Sequence, residues 1–198
     1  MPQTKRQLRA FLGFTNWFRQ YIYRYAEIAE PLTCLLGQNA PNKFNLTDSQ
    51  QQAFHQLRDA LIRRPVLRPP DGSKPFHVYA DASRSNLSAI LLQKSDEQSP
   101  KMHAVSYASR KLLDRETRYP IIQLELLAIL FALNKFKQWI YARKVIVHTD
   151  HRPIQFLNSL TKHSPRLAHW YLKFQEFNAT TEYVRGDEQL ADYLTRLA

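Results

Sequence analysis

The chain has 198 residues, 44% apolar and 23% charged, proportions that fit a globular protein with a sizeable core and not a disordered one. Twenty-eight Lys and Arg against seventeen Asp and Glu leave a net charge of +11, which favours a polyanionic partner, nucleic acid above all. The sequence has one cysteine, Cys34, no zinc-like Cys/His spacing, no apolar run of membrane-spanning length and no signal-peptide core at its start. Disulfide frameworks, structural zinc and membrane insertion are therefore not expected, and an intracellular location, cytoplasm or nucleus, is.

Thr4 is the expected N-cap of a helix over 4–25, along which Leu8, Phe11, Leu12, Phe18, Tyr21 and Ile22 recur at about helical spacing. Phe11, Phe14, Trp17, Phe18, Tyr21, Tyr23 and Tyr25 fall within fifteen residues, with Arg19 and Arg24 among them. Such interleaving suits a strand-gripping helix, where Arg holds phosphates and rings stack; it equally suits rings packed in a core. A short helix over 28–36 stops near Gly37, residues 38–46 form a loop, and Thr47 caps a helix over 48–63. The stretch RRPVLRPPDGSKP, 63–75, holds four prolines and a glycine and cannot be regular structure throughout. A boundary placed there divides the chain into a small all-helical segment, 1–70, and a second domain, 71–198. Ten basic and four acidic side chains fall in the first part, eighteen and thirteen in the second, so the net positive charge per residue of the first is about twice that of the second.

Past the boundary the pattern changes. FHVYADA (76–82), LSAILLQ (87–93) and MHAVSYA (102–108) read as three strands with short connections. Residues 119–137 form a helix apolar almost all round, buried on more than one side. KVIVHT (144–149) is a fourth strand, followed by a short helix at 151–157, a longer one at 165–177, a fifth strand at 179–184 and a last helix at 187–197. The order is βββ–α–β–α–β–α. Three antiparallel strands followed by a right-handed helical crossover return the fourth parallel to the first. If the two are neighbours, Asp81 and Asp150 end adjacent strands. Glu125 has only apolar residues three and four positions away, and an ionised carboxylate on such a stripe demands a compensating charge. With Asp192 in the final helix, four carboxylates and no cysteine point to Mg²⁺ or Mn²⁺. Taken one at a time, each acid has an ordinary reading as a turn residue or a solvated helix residue.

The opening TKRQLRAFLGFTNWFRQYIYRYAEIAEPLTCLL resembles the thumb of reverse transcriptases from Gypsy-type LTR retroelements. QQQAFHQLRDALIRRPVLRPPDGSKPF resembles their passage from thumb to nuclease. YADAS, SYASRKL, YPIIQLELLAILFAL, VHTDHRPI, RLAHW and EYVRGDEQLADYLTR resemble, in order, the motifs of their ribonuclease H domain. The resemblance covers nearly the whole chain. It implies an α/β ribonuclease H-like fold: a mixed five-stranded sheet flanked by helices, preceded by a thumb-like segment. It also implies Asp81, Glu125, Asp150 and Asp192 as ligands of two divalent cations roughly 4 Å apart, acting on the RNA strand of an RNA–DNA hybrid. His151 is a candidate for positioning or proton transfer, and also an ordinary turn histidine. Arg19, Arg24, Arg110, Lys111 and Arg166 are candidates for nucleic-acid contact, to the hybrid or to another duplex.

Two positions depart from the pattern: Ala142, where glycine is common, and Gln123, where a charged residue is common. Neither removes a ligand. No Tyr-x-Asp-Asp type polymerase motif occurs, so polymerisation is not expected of this chain by itself. The fingers and palm of a parent polyprotein are the expected partner if the chain is a fragment. Two alternatives share these features: a domesticated, catalytically idle binding or interaction scaffold, and another phosphoryl transfer on the same fold, such as integration. Only six residues follow Asp192, which makes it the ligand expected to be least well fixed without metal.

Overall fold

The computed structural model describes residues 1–62, 67–95, 102–151 and 164–185. Three helices build the first part: α1 (Lys5–Trp17), α2 (Tyr25–Thr33) and α3 (Asp48–Ile62). Thr4 caps α1 as expected, its hydroxyl accepting from the Gln7 amide. At the start of α3 the Gln50 side chain accepts from the Thr47 amide at 3.0 Å, half of a capping box. These helices close on their own core of Leu8, Leu12, Ile22, Tyr25, Ala29, Leu32, Ala53 and Leu57.

The single helix expected over 4–25 is instead broken. α1 ends at Trp17, a 3₁₀ turn follows at Arg19–Tyr21, Ile22 is extended, and Arg24 takes a left-handed backbone (φ 52°) before α2 starts. The reason is packing. The break folds Ile22 and Tyr25 back onto the apolar face of α1, where the Tyr25 hydroxyl meets the Thr15 hydroxyl at 2.9 Å. A straight helix would leave that face bare. The rings divide accordingly: Tyr25 is buried, while Phe14 and Trp17 are 61% and 80% exposed.

The second part is a five-stranded mixed sheet. Its strands are β1 (Phe76–Ala82), β2 (Asn86–Lys94), β3 (Met102–Lys111), β4 (Val145–Thr149) and β5 (Ala179–Tyr183), ordered β3-β2-β1-β4-β5. β1–β2 and β2–β3 are antiparallel; β1–β4 and β4–β5 are parallel. The crossover therefore does place β4 beside β1. Helix α4 (Ile121–Ile140) covers one face of the sheet, burying Leu126, Ile129, Leu133 and Phe136 against Phe76, Val78, Leu91 and Val147, and α5 (Pro165–Gln175) packs beside it. Beyond His151, the expected helix at 151–157 lies outside the described residues, as does the one at 187–197. Among the described residues no helix is long and apolar enough to cross a membrane.

Just past α4, Ala142 has φ 57°. A β-carbon is strained there and glycine is not. Replacing Ala142 by Gly is expected to raise stability by about 1 kcal/mol, read from the urea midpoint.

Strand alternation puts His77, Tyr79 and His148 together. His77 Nδ1 lies 2.9 Å from His148 Nε2, and the His148 ring stacks on Tyr79 at 4.3 Å. Burial pushes both imidazoles down to about 4. Proton NMR is expected to find both rings neutral at pH 5, where exposed histidines are already charged.

Candidate active site

The helical part docks on the end of the sheet where β1 finishes. The Ala26 amide donates to Ser109 Oγ at 3.0 Å, Arg19 donates to the Ser109 carbonyl, and the Tyr23 and Tyr107 rings meet at 5.9 Å. Glu30 accepts from Ser85 Oγ and Asn86 Nδ2 and pairs with Lys111 Nζ at 3.2 Å.

The carboxylates gather at this end. β1 and β4 are in register with Val78 opposite Val147 and Tyr79 opposite His148; continuing that register by two residues aligns Asp81, next to last in β1, with Asp150, the residue after β4. Glu125, half-buried, sits just over one turn into α4. Its carboxyl is pushed up to about 8, first by burial and then by the negative charges of Asp81 and Asp150. The three acids expected to converge thus share one electrostatic neighbourhood. Asp192 lies outside the described residues. The His151 amide donates to Thr149 Oγ1 at 3.1 Å, a turn contact.

Among the described residues, no three His, Cys, Asp or Glu side chains stand in metal-holding geometry as they are. Asp81 is held instead by Arg24, whose Nη2 donates to Oδ2 at 2.6 Å. The donor set still fits a hard divalent cation. It consists of carboxylate oxygens only, burial and mutual repulsion together raise one carboxyl, and a guanidinium supplies positive charge to another.

All five basic candidates have partners within the chain. Arg24 holds Asp81, Arg19 holds Ser109, and Lys111 holds Glu30. Arg110 forms a fork on Glu116 at 2.5 and 3.0 Å, and Arg166 donates to Gln123 Oε1 while lying 4.3 Å over the Tyr119 ring. Sequence reasoning missed these pairings. Arg24 and Asp81 are 57 residues apart, and nothing in either neighbourhood points to the other.

Glu125 makes a measurable prediction. Its folded value of about 8 lies above the 4.5 of a free side chain. Its contribution to stability is thus full below pH 4.5 and lost as pH rises through 8. A cation bound there requires the carboxylate, so saturating Mg²⁺ at pH 7 is expected to release about one proton per chain. Glu125→Gln should abolish that release in a pH-stat titration.

A five-stranded mixed sheet of this order, with acids at the ends of two adjacent parallel strands and on the crossover helix, defines a ribonuclease H-like fold. Residues 71–177 match the RNase H-like domain found in reverse transcriptase, and the chain belongs to that family. Its relatives are retroelement polyproteins. The chain is 34% identical to the retrovirus-related Pol polyprotein from transposon 297 of Drosophila melanogaster over 100% of this chain and 18% of that protein. It is 36% identical to the one from transposon 412 of the same fly, over 100% and 16%. Against the transposon gypsy polyprotein it is 32% identical, over 98% and 19%. The chain thus spans less than a fifth of the length of each of these three relatives. Among solved structures, the foamy viral protease–reverse transcriptase in complex with RNA/DNA hybrid superposes with a TM-score of 0.72 at 21% identity, covering 98% of this chain and 26% of that one. The same viral protein in complex with dsDNA gives 0.74 at 20%, covering 94% and 39%.

Proposed function

We propose that the chain is the thumb-like segment and ribonuclease H domain of a Gypsy-type reverse transcriptase, divided near residue 70, and that it hydrolyses the RNA strand of RNA–DNA hybrids. The observation that carries the reading is the parallel pairing of β1 with β4 beneath α4, which brings the strand ends near Asp81 and Asp150 together, with the Glu125 carboxyl raised in part by both. Three acids from separate elements repel one another at one end of the sheet, an arrangement that is costly unless cations are to be held there. Asp81, Glu125 and Asp150, with Asp192 as a fourth, would hold the metal. When bound, a pair of Mg²⁺ or Mn²⁺ ions supplies an activated water and stabilises the leaving 3′-oxygen. Asp81 would be a ligand of the pair, and His151 beside Asp150 would position substrate or transfer a proton. Hybrid recognition would rest on groove shape and 2′-hydroxyls, with the basic surface adding phosphate contacts that weaken as salt rises.

A second reading has one observation in its favour: Arg24 already neutralises Asp81. On that reading the chain is an idle module that grips duplexes or a protein partner. The deciding experiment incubates the chain with an end-labelled hybrid, with Mg²⁺ or with EDTA. Metal-dependent cleavage of the RNA strand is expected. Hybrid binding in EDTA with neither metal uptake nor cleavage selects the idle module.

A further inference from the structure

We propose that Arg24 is a built-in counter-ion of Asp81 that a divalent cation displaces, so that metal uptake is coupled to loosening of the helical segment at the sheet end. This rests on the metal-site reading above.

Arg24 is placed for this by an unusual backbone. Its φ of 52° and ψ of 31° lie in the left-handed region, which a non-glycine residue occupies at a cost. That conformation ends the connection from α1 and starts α2. Nη2 lies 2.6 Å from Asp81 Oδ2, Nε lies 3.4 Å from Glu27 Oε2, and the guanidinium lies 5.5 Å from the Tyr23 ring centroid. Tyr23 in turn meets Tyr107 of β3. One strained residue therefore ties the helical segment to the carboxylate at the end of β1.

The guanidinium on Asp81 Oδ2 and a cation bound to the same carboxylate would repel each other. A guanidinium does not lose its proton in proteins, so it leaves only by moving. A Mg²⁺ ion held by that carboxylate would bring a second positive charge beside the guanidinium. The pair is more than a third exposed on both sides, so water screens it and a cation can outcompete it. The remaining tethers of the segment are polar contacts and one ring pair: Arg19 and Ala26 to Ser109, Glu30 to Ser85, Asn86 and Lys111, and Tyr23 to Tyr107. Loss of Arg24 leaves them to hold the docked position.

The test uses Mn²⁺ calorimetry on the whole chain with three variants. Arg24→Gln removes the competing charge and is expected to tighten Mn²⁺ binding by about five- to tenfold. Arg24→Lys keeps a charge and should stay near the wild-type value, which separates charge from folding. Asp81→Asn should lose uptake. In parallel, hydrogen exchange of amides 19–30 is expected to quicken when Mn²⁺ binds the wild type. In Arg24→Gln it should already be quick and insensitive to metal. Equal Mn²⁺ affinity in wild type and Arg24→Gln, or weaker binding in the variant, overturns the latch while leaving the metal site standing. No uptake by either chain removes the metal site and the latch together.

Discussion

Asp81→Asn is expected to lower metal-dependent cleavage of an RNA–DNA hybrid by about 10³-fold while leaving the fold intact. The size of the effect follows from the position. Asp81, next to last in β1, aligns with Asp150 just after the parallel β4, and its charge reaches Glu125 on α4. An amide keeps the shape but loses the charge that cations require, so the loss should fall on turnover. Structure should survive, because Asp81 is part-exposed and lies at a strand end, outside the apolar clusters. Removing the carboxylate also frees Arg24, so faster exchange of the helical segment should accompany the lost activity. Circular dichroism of the variant beside hybrid cleavage at saturating Mg²⁺ makes the measurement. Full activity in a folded Asp81→Asn chain would sink the nuclease reading.

Arg110→Ala should destabilise the chain by about 3 kcal/mol, a large part of the roughly 5–15 kcal/mol that holds a domain together. Arg110 reads from sequence as a nucleic-acid contact, but its fork closes on Glu116, whose side chain is only 7% exposed. Burial by itself would raise the Glu116 carboxyl. The Arg110 hydrogen bonds outweigh it and, with the Leu113 amide, hold that carboxyl below the usual range. Truncating Arg110 leaves a buried carboxylate with one backbone donor. The stabilising contribution of Glu116 is present above the unfolded pKa and disappears as pH falls through the folded one, so the wild type and variant should converge in acid. Urea melts at pH 7 and pH 3 test this. Arg110→Lys should restore only part of the loss, because an ammonium cannot form the fork. Unchanged stability with weakened hybrid binding would return Arg110 to the nucleic-acid surface.

The sheet was legible because period-two apolar patterning is local, and because handedness restricts where β4 can go. Those two facts put Asp81 and Asp150 at the same end of the sheet; that β4 lies next to β1 came from the structure. Glu125 stood out for the same kind of reason: a charge on an apolar stripe is visible in nine residues of sequence. The break after Trp17 was not legible. It depends on Ile22 and Tyr25 finding the face of α1, a tertiary contact that helical spacing does not encode. The engagement of the basic side chains was hidden likewise. Arg24 with Asp81, Lys111 with Glu30 and Arg19 with Ser109 join residues far apart in the chain, and each residue alone looks free. Nor could the His77–His148 contact be read from two separate strands without their register.

β3 is the outermost strand on its side of the sheet, and the helical segment lies along part of it, with Arg19 and Ala26 both bonded to Ser109. Cutting the chain at residue 71 would strip that cover and bare a ten-residue strand to pairing with other molecules. The nuclease half expressed by itself should then self-associate through this margin, and a lysine or proline introduced on it should keep the shortened protein monomeric.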